Sequence, residues 1–331
     1  MKKVLLATTA VALSAGVAAA EVKLSGDARF GLMYNSDPTV GDFNFVSTGQ
    51  TSKTRLEKRA TINIDGSTVS DGGVTFGTRI RLRSEERSAN AAGLGGRTIA
   101  AGARVFARAG GLEVGAGNIN GAIEFMPGVY APSVGLTGLS WGGLVTNVDR
   151  GGAFTANQFD WDAFSSGGGG AEGIEAIYTM GDFRAHVSYS SARLNGAVGN
   201  AKRLAAVGSY NWQGWTVALG IQDSNLDPED KIVLTVGGKI GDFGVGFGAA
   251  RNGKGVSRVN KYAVNASYTM GATTVSGYIS NQNVLPVVGG SKSQYGIGAS
   301  YNLGGGARIV GGIERTTRKT TRADLGVTFN F

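Results

Sequence analysis

The chain has 331 residues, a formal net charge of +8, 56 glycines, five prolines and no cysteine. The composition excludes disulfides and thiolate metal centres, and no apolar run after residue 20 approaches the roughly 20 residues of a membrane helix. A basic balance can serve nucleic acid, but these charges alternate along extended segments instead of forming runs, so no nucleic-acid partner is expected.

Residues 1–20 read as an export signal. Lys2 and Lys3 precede a mostly apolar run from Val4 to Val17, and Ala18 to Ala20 form a small-residue cleavage site. The first strand follows. Val22, Leu24, Ala28, Phe30, Leu32 and Tyr34 share one face, and Lys23, Ser25, Asp27 and Arg29 the other. An Arg or Lys on the lipid side at mid-membrane would cost about 2–4 kcal/mol, so the charged face is expected to look into a lumen. The same parity turns Arg55, Glu57 and Arg59 inward on strand two, Arg79, Arg81 and Arg83 on strand three, and Arg104 and Arg108 on strand four. Lys58 breaks the pattern and falls outward. Later strands add Arg184, Arg203, Arg308 and Arg322 to the inward set.

Tight turns are predicted at Asp65 to Gly73, Gly110-Gly111, Gly181-Asp182, Gln213-Gly214, Gly241-Asp242, Gly271 and Gly304 to Gly306. Aromatic residues stand near them at Tyr178, Tyr210, Trp212, Trp215, Tyr268 and Tyr301, as a membrane–water girdle requires. Fourteen strands joined by these turns, plus a first and a last, make sixteen. The rhythm lapses once, from about 118 to 170. That stretch carries Glu124, Asp149, Asp160 and Asp162 against Arg150, with seven aromatics that need something to pack on. Folded into a barrel, its acids would face the arginines across a narrowed lumen.

The last strand, Ala323 to Phe331, alternates apolar and polar residues without a slip. Such a strand must be paired on both edges. Closing it onto the first strand gives the predicted fold: an all-β, 16-stranded antiparallel transmembrane β-barrel over 21–331, with an inward-folded constriction loop. A barrel this wide leaves an aqueous channel.

The segments Glu21-Val-Lys-Leu-Ser-Gly-Asp-Ala-Arg29 and Tyr301-Asn-Leu-Gly-Gly-Gly-Ala-Arg-Ile-Val-Gly-Gly-Ile313 resemble the trimeric general porins of Gram-negative outer membranes, the alphaproteobacterial, Rhodobacter-type members in particular. The resemblance implies an outer-membrane homotrimer, set among lipid and lipopolysaccharide, that passes small hydrophilic solutes and needs no cofactor. Its third external loop would fold inward as an eyelet, with Glu124, Asp149, Asp160 and Asp162 as the acidic candidates. The facing basic wall would be Arg29, Arg55, Arg59, Arg79, Arg81 and Arg83, and the small residues Ala101, Ala103 and Ala107 would lie in the trimer contact. The loop is rich in glycine and poor in acid for such an eyelet, which points toward anion preference.

Passive diffusion is therefore the leading expectation, with a channel specific for an anionic or sugar solute as the alternative. Catalysis is not expected. The one histidine, His186, has Ser188 and Ser190 on its own strand face, and such neighbours are poorly placed for a nucleophile–base pair. Asp223, Asp227, Glu229 and Asp230 could hold Ca²⁺, although a solvated loop fits them better.

Overall fold

The computed structural model describes residues 20–37, 52–85, 97–130, 132–139, 172–191, 201–255, 258–285 and 289–331. The chain runs through β1 (Glu21–Asn35), β2 (Thr54–Val69), β3 (Thr75–Glu85), β4 (Arg97–Ala100), β5 (Arg104–Ala109) and β6 (Leu112–Asn118). After the long connection come β7 (Glu172–Met180), β8 (Phe183–Ser191), β9 (Lys202–Trp212), β10 (Trp215–Ser224), β11 (Lys231–Ile240) and β12 (Phe243–Asn252). The last are β13 (Val259–Met270), β14 (Thr273–Gln282), β15 (Ser293–Gly304), β16 (Ala307–Arg315) and β17 (Thr321–Asn330). β4 and β5 both pair with β3 and are two halves of one stave, so seventeen segments make a closed sixteen-stranded barrel.

Every neighbouring pair is antiparallel, and β1 closes on β17 from Asp27 opposite Asn330 to Asn35 opposite Arg322. The Phe331 amide and carbonyl extend this seam, exchanging hydrogen bonds with Gly26 at 3.0 and 2.7 Å. The Phe331 ring covers Gly26 on the outer surface, where a side chain on residue 26 would collide with it.

Parity does the sorting. On β1 the outward Leu24, Phe30 and Leu32 are more than half exposed, whereas the inward Arg29, Met33 and Asn35 are buried. The same split holds on β10, where Val217, Leu219 and Ile221 face out and Ala218, Gln222 and Ser224 face in. Buried polar side chains and exposed apolar ones are the reverse of a soluble core, and they suit a lipid exterior around a wet interior. Tyr178, Tyr210, Trp212 and Tyr301 stand exposed at the tight-turn end, and Tyr34, Tyr262 and Tyr295 at the other.

All seven tight turns are present. The first is shorter than the sequence suggests. β2 continues to Val69 because Asp65 and Gly66 stay in the ladder opposite Arg79 and Thr78, and the turn begins at Ser70, whose amide bonds Val74. In the stave built from β4 and β5, Leu82 opposes Ala100 while Arg79 opposes Arg104, so one extra residue bulges at 101–103. The bulge resets the parity. Ala103 and Ala107 face out with Val105, but Ala101 lies in the irregular stretch and not on their face.

Candidate functional site

The connection after β6 enters the barrel. At Gly117 and Gly121 the backbone adopts φ of +93° and +77°, a region that favours glycine, and the chain turns inward between them. The amides of Asn120 and Gly121 each donate to the Glu175 carboxylate at 3.1 Å, and the Ala122 amide donates to Ser188 Oγ at 2.8 Å. Ala122, Ile123, Met126 and Val129 then pack on Ala205, Val207, Ala218, Val233, Ala250 and Ala263, which are inward residues of β9 to β13. Burying each large apolar side chain is worth about 1.5–3 kcal/mol, so a wall of small residues opposite bulky ones fixes the loop firmly. Thr235 Oγ1 adds a hydrogen bond to the Pro127 carbonyl at 2.6 Å.

Farther on, Val134 and Leu139 pack with Tyr278 of β14. The loop backbone at Val134 lies directly on Gly298 and Gly312, and the Leu136 side chain on Gly31 and Gly326. A Cβ at any of these inward glycines would occupy the loop's place. The loop's far anchor is Asp324, which accepts from the amides of Leu136 and Thr137 at 2.8 and 2.7 Å and from the Thr137 hydroxyl at 2.7 Å. Arg29 Nη1 donates to the Leu136 carbonyl at 2.9 Å. From β7 round to β1, the loop thus lines the inner wall.

The arc from β2 to β5 carries the arginines. Arg79 and Arg59 pair with Asp65 and Asp27 at 2.6 and 2.9 Å, and Arg83 donates to Thr61 Oγ1 at 3.2 Å. Arg81 feels the fields of Arg79, Arg59, Asp27 and, from the loop, Glu124. Glu124 itself accepts from the Tyr130 hydroxyl at 2.6 Å. Arg55 lies beside Met33 Sδ.

Three of the expected wall arginines have other duties. Arg29 is buried against Glu57 and the loop. Arg104 is buried between Glu113 and Glu175 at 2.6 Å to each, and Arg108 bonds Glu113 at 2.7 Å. Asp149, Asp160 and Asp162 lie outside the described residues. Countercharge also comes from neighbouring staves, where Asp27, Glu57, Asp65, Glu113 and Glu175 supply it. Their inward parity was readable in the sequence, but cross-strand register was not.

His186 Nε2 bonds Glu175 at 2.9 Å, and Ser188 holds the Ala122 amide, so both belong to the loop's clamp. Three of the four acids considered for Ca²⁺, Asp227, Glu229 and Asp230, are engaged by cations. Both Glu229 oxygens take Arg203, at 2.8 and 2.9 Å, and Asp230 takes Lys254 at 3.1 Å. Glu229 is buried, contrary to the expected solvated loop. Among the described residues no cluster of three or more metal-binding side chains occurs.

Among known proteins, the Gram-negative porin family matches residues 7–321. The porin of Rhodobacter capsulatus is 30% identical over 347 residues, spanning 94% of this chain and 100% of that protein. The porin of Fuscovulum blasticum is 27% identical over 315 residues, with the same coverage of 94% and 100%. A triple mutant of the Rhodopseudomonas blastica porin has the same fold, with a TM-score of 0.75 at 24% identity over 94% of this chain and 100% of that one. A closed sixteen-stranded barrel, an inward-lying loop and a match over nearly the whole length agree, and the chain belongs to the Gram-negative porin family.

Proposed function

We propose that the gap between the inward loop and the β2–β5 arginines is the constriction of this porin and that it favours anions. The chain is an outer-membrane channel for passive diffusion, not an enzyme. The supporting observation is the crowding of Arg59, Arg79, Arg81 and Arg83, in which Arg81 lies near Arg79 and Arg59, and Arg83 near Arg59 and Arg81. Such a group concentrates anions in a low-dielectric passage. With Glu124 on the loop side, the field runs across the lumen, orders water there and admits charged or dipolar solutes over apolar ones. Arg29, Arg55, Arg104 and Arg108 complete the basic wall as supports and flanks of this group.

The test is a salt gradient across a planar bilayer holding the purified protein. The expected reversal potential has the anion sign, and Arg81→Gln with Arg83→Gln should move it toward cations. No movement would remove both residues from the constriction. Current that saturates with one solute would replace the general channel by a specific one.

We also infer a homotrimer in contact with lipid and lipopolysaccharide. The outward Ala103 and Ala107 permit close approach, and Lys58 lies outward in the apolar band opposite Phe30. Burial between subunits would shield that ammonium from acyl chains. Light scattering in detergent should give three copies, and a monomer alone would refute this assignment.

A further inference from the structure

The inward loop makes one turn of helical hydrogen bonding. The Phe125 amide donates to the Gly121 carbonyl at 3.1 Å, and the Met126 amide to the Ile123 carbonyl at 3.2 Å. At about 100° per residue, such a turn sets Ala122, Ile123 and Met126 on one side and turns Glu124 and Phe125 away from it. The first three are buried on the small side chains of β9 to β13. Phe125 is left 41% exposed. The other exposed aromatics among the described residues stand on the outward side of their strands, in the lipid-facing set. Phe125 presents its ring on the lumen side of the loop.

Seating the loop does not need this ring, because Ala122, Ile123, Met126 and Val129 do that work. Its neighbour Glu124 is held by the Tyr130 hydroxyl at 2.6 Å, and the Glu124 charge is felt by Arg81. The ring therefore stands beside the gap that Arg59, Arg79, Arg81 and Arg83 border from the other side. Guanidinium groups take a carboxylate in a planar, two-point geometry. A phenyl ring favours an aromatic partner in offset-stacked or edge-on contact. A solute with a carboxylate at one end and a flat ring at the other meets both groups, whereas chloride or a saturated acid meets only the arginines in this way.

We propose that Phe125 on the loop and Arg79, Arg81 and Arg83 on the facing arc form a transient subsite for small aromatic carboxylates, benzoate being the simplest. The subsite gives these solutes preferred passage over saturated acids of the same size. The inference rests on the constriction reading above and deepens it by naming a solute class. Occupancy has to be brief, since a solute that stayed would close the channel.

The experiment is single-channel recording of the purified protein in planar bilayers bathed in sodium chloride, with sodium benzoate, sodium cyclohexanecarboxylate or benzylammonium chloride added. Benzoate is expected to reduce the chloride current saturably, with half-block at a concentration about fivefold lower than for cyclohexanecarboxylate. Phe125→Leu keeps apolar bulk but removes the ring, and should make the two acids block alike. Phe125→Tyr should keep the preference. Each comparison is made within one variant, so a change in its basal conductance cancels. Arg81→Gln with Arg83→Gln should weaken block by both acids in the same proportion. Equal block by the two acids in wild type, a preference that survives Phe125→Leu, or block by benzylammonium as strong as by benzoate would overturn the proposal. The reversal potential in a chloride gradient judges the anion reading separately: an anion sign with equal block sinks the subsite alone, and a cation sign sinks both.

Discussion

Glu175 joins four partners in the interior. Its two oxygens accept from Arg104, from the amides of Asn120 and Gly121, and meet His186. Glu175→Gln keeps the shape but strips the charge opposite the buried Arg104. Breaking a buried pair in this way costs about 3–5 kcal/mol. The expected result is a lower unfolding midpoint in detergent together with noisier single-channel current, because the same change loosens the loop's near anchor. An unchanged midpoint would mean that Glu113 alone satisfies Arg104. The sequence showed Arg104 as inward and charged, yet gave no hint that it is locked away. Parity tells which side a residue faces; whether it meets water depends on which strand lies beside it and on what the loop covers.

At the level of elements, the strands were legible and the loop's seat was not. Strands announce themselves through alternation, and the tight turns through paired glycines such as Gly110 and Gly111, whose φ of +55° and +84° a short hairpin requires. The inward glycines carried a second message. Gly298 and Gly312 look like weak points of β15 and β16, but they are the clearance into which Val134 sinks. Gly298→Val should therefore expel the 132–139 segment while leaving the barrel closed. Circular dichroism should keep its β signature and single-channel conductance should change. Wild-type conductance would show that the loop seats without this clearance. The bulge at 101–103 was equally hidden, since one added residue leaves no compositional mark.

For the molecule as a whole, the exterior and interior are two solvents separated by one layer of backbone. Leu325→Arg puts a cation on the lipid side beside Leu32 and should cost about 2–4 kcal/mol in unfolding from vesicles. Arg81→Leu, on the inward side, should cost less than half of that. Similar losses for the two would contradict the assignment of faces. Fluorescent probes at positions 325 and 81 give an independent check, with quenching by lipid-borne groups expected at the first and by aqueous iodide at the second.

The loop's far end grips Asp324 on β17 and Arg29 on β1, the two staves that meet to close the sheet. The middle of the polypeptide thus fastens its beginning to its end from within, like a buckle behind a belt. Assembly inherits a timing condition from this: a zipper that sealed before residues 136 and 137 were inside would shut out its own fastener. Asp324→Asn, which weakens the fastener without touching the zipper, should slow refolding into vesicles more than it lowers final stability.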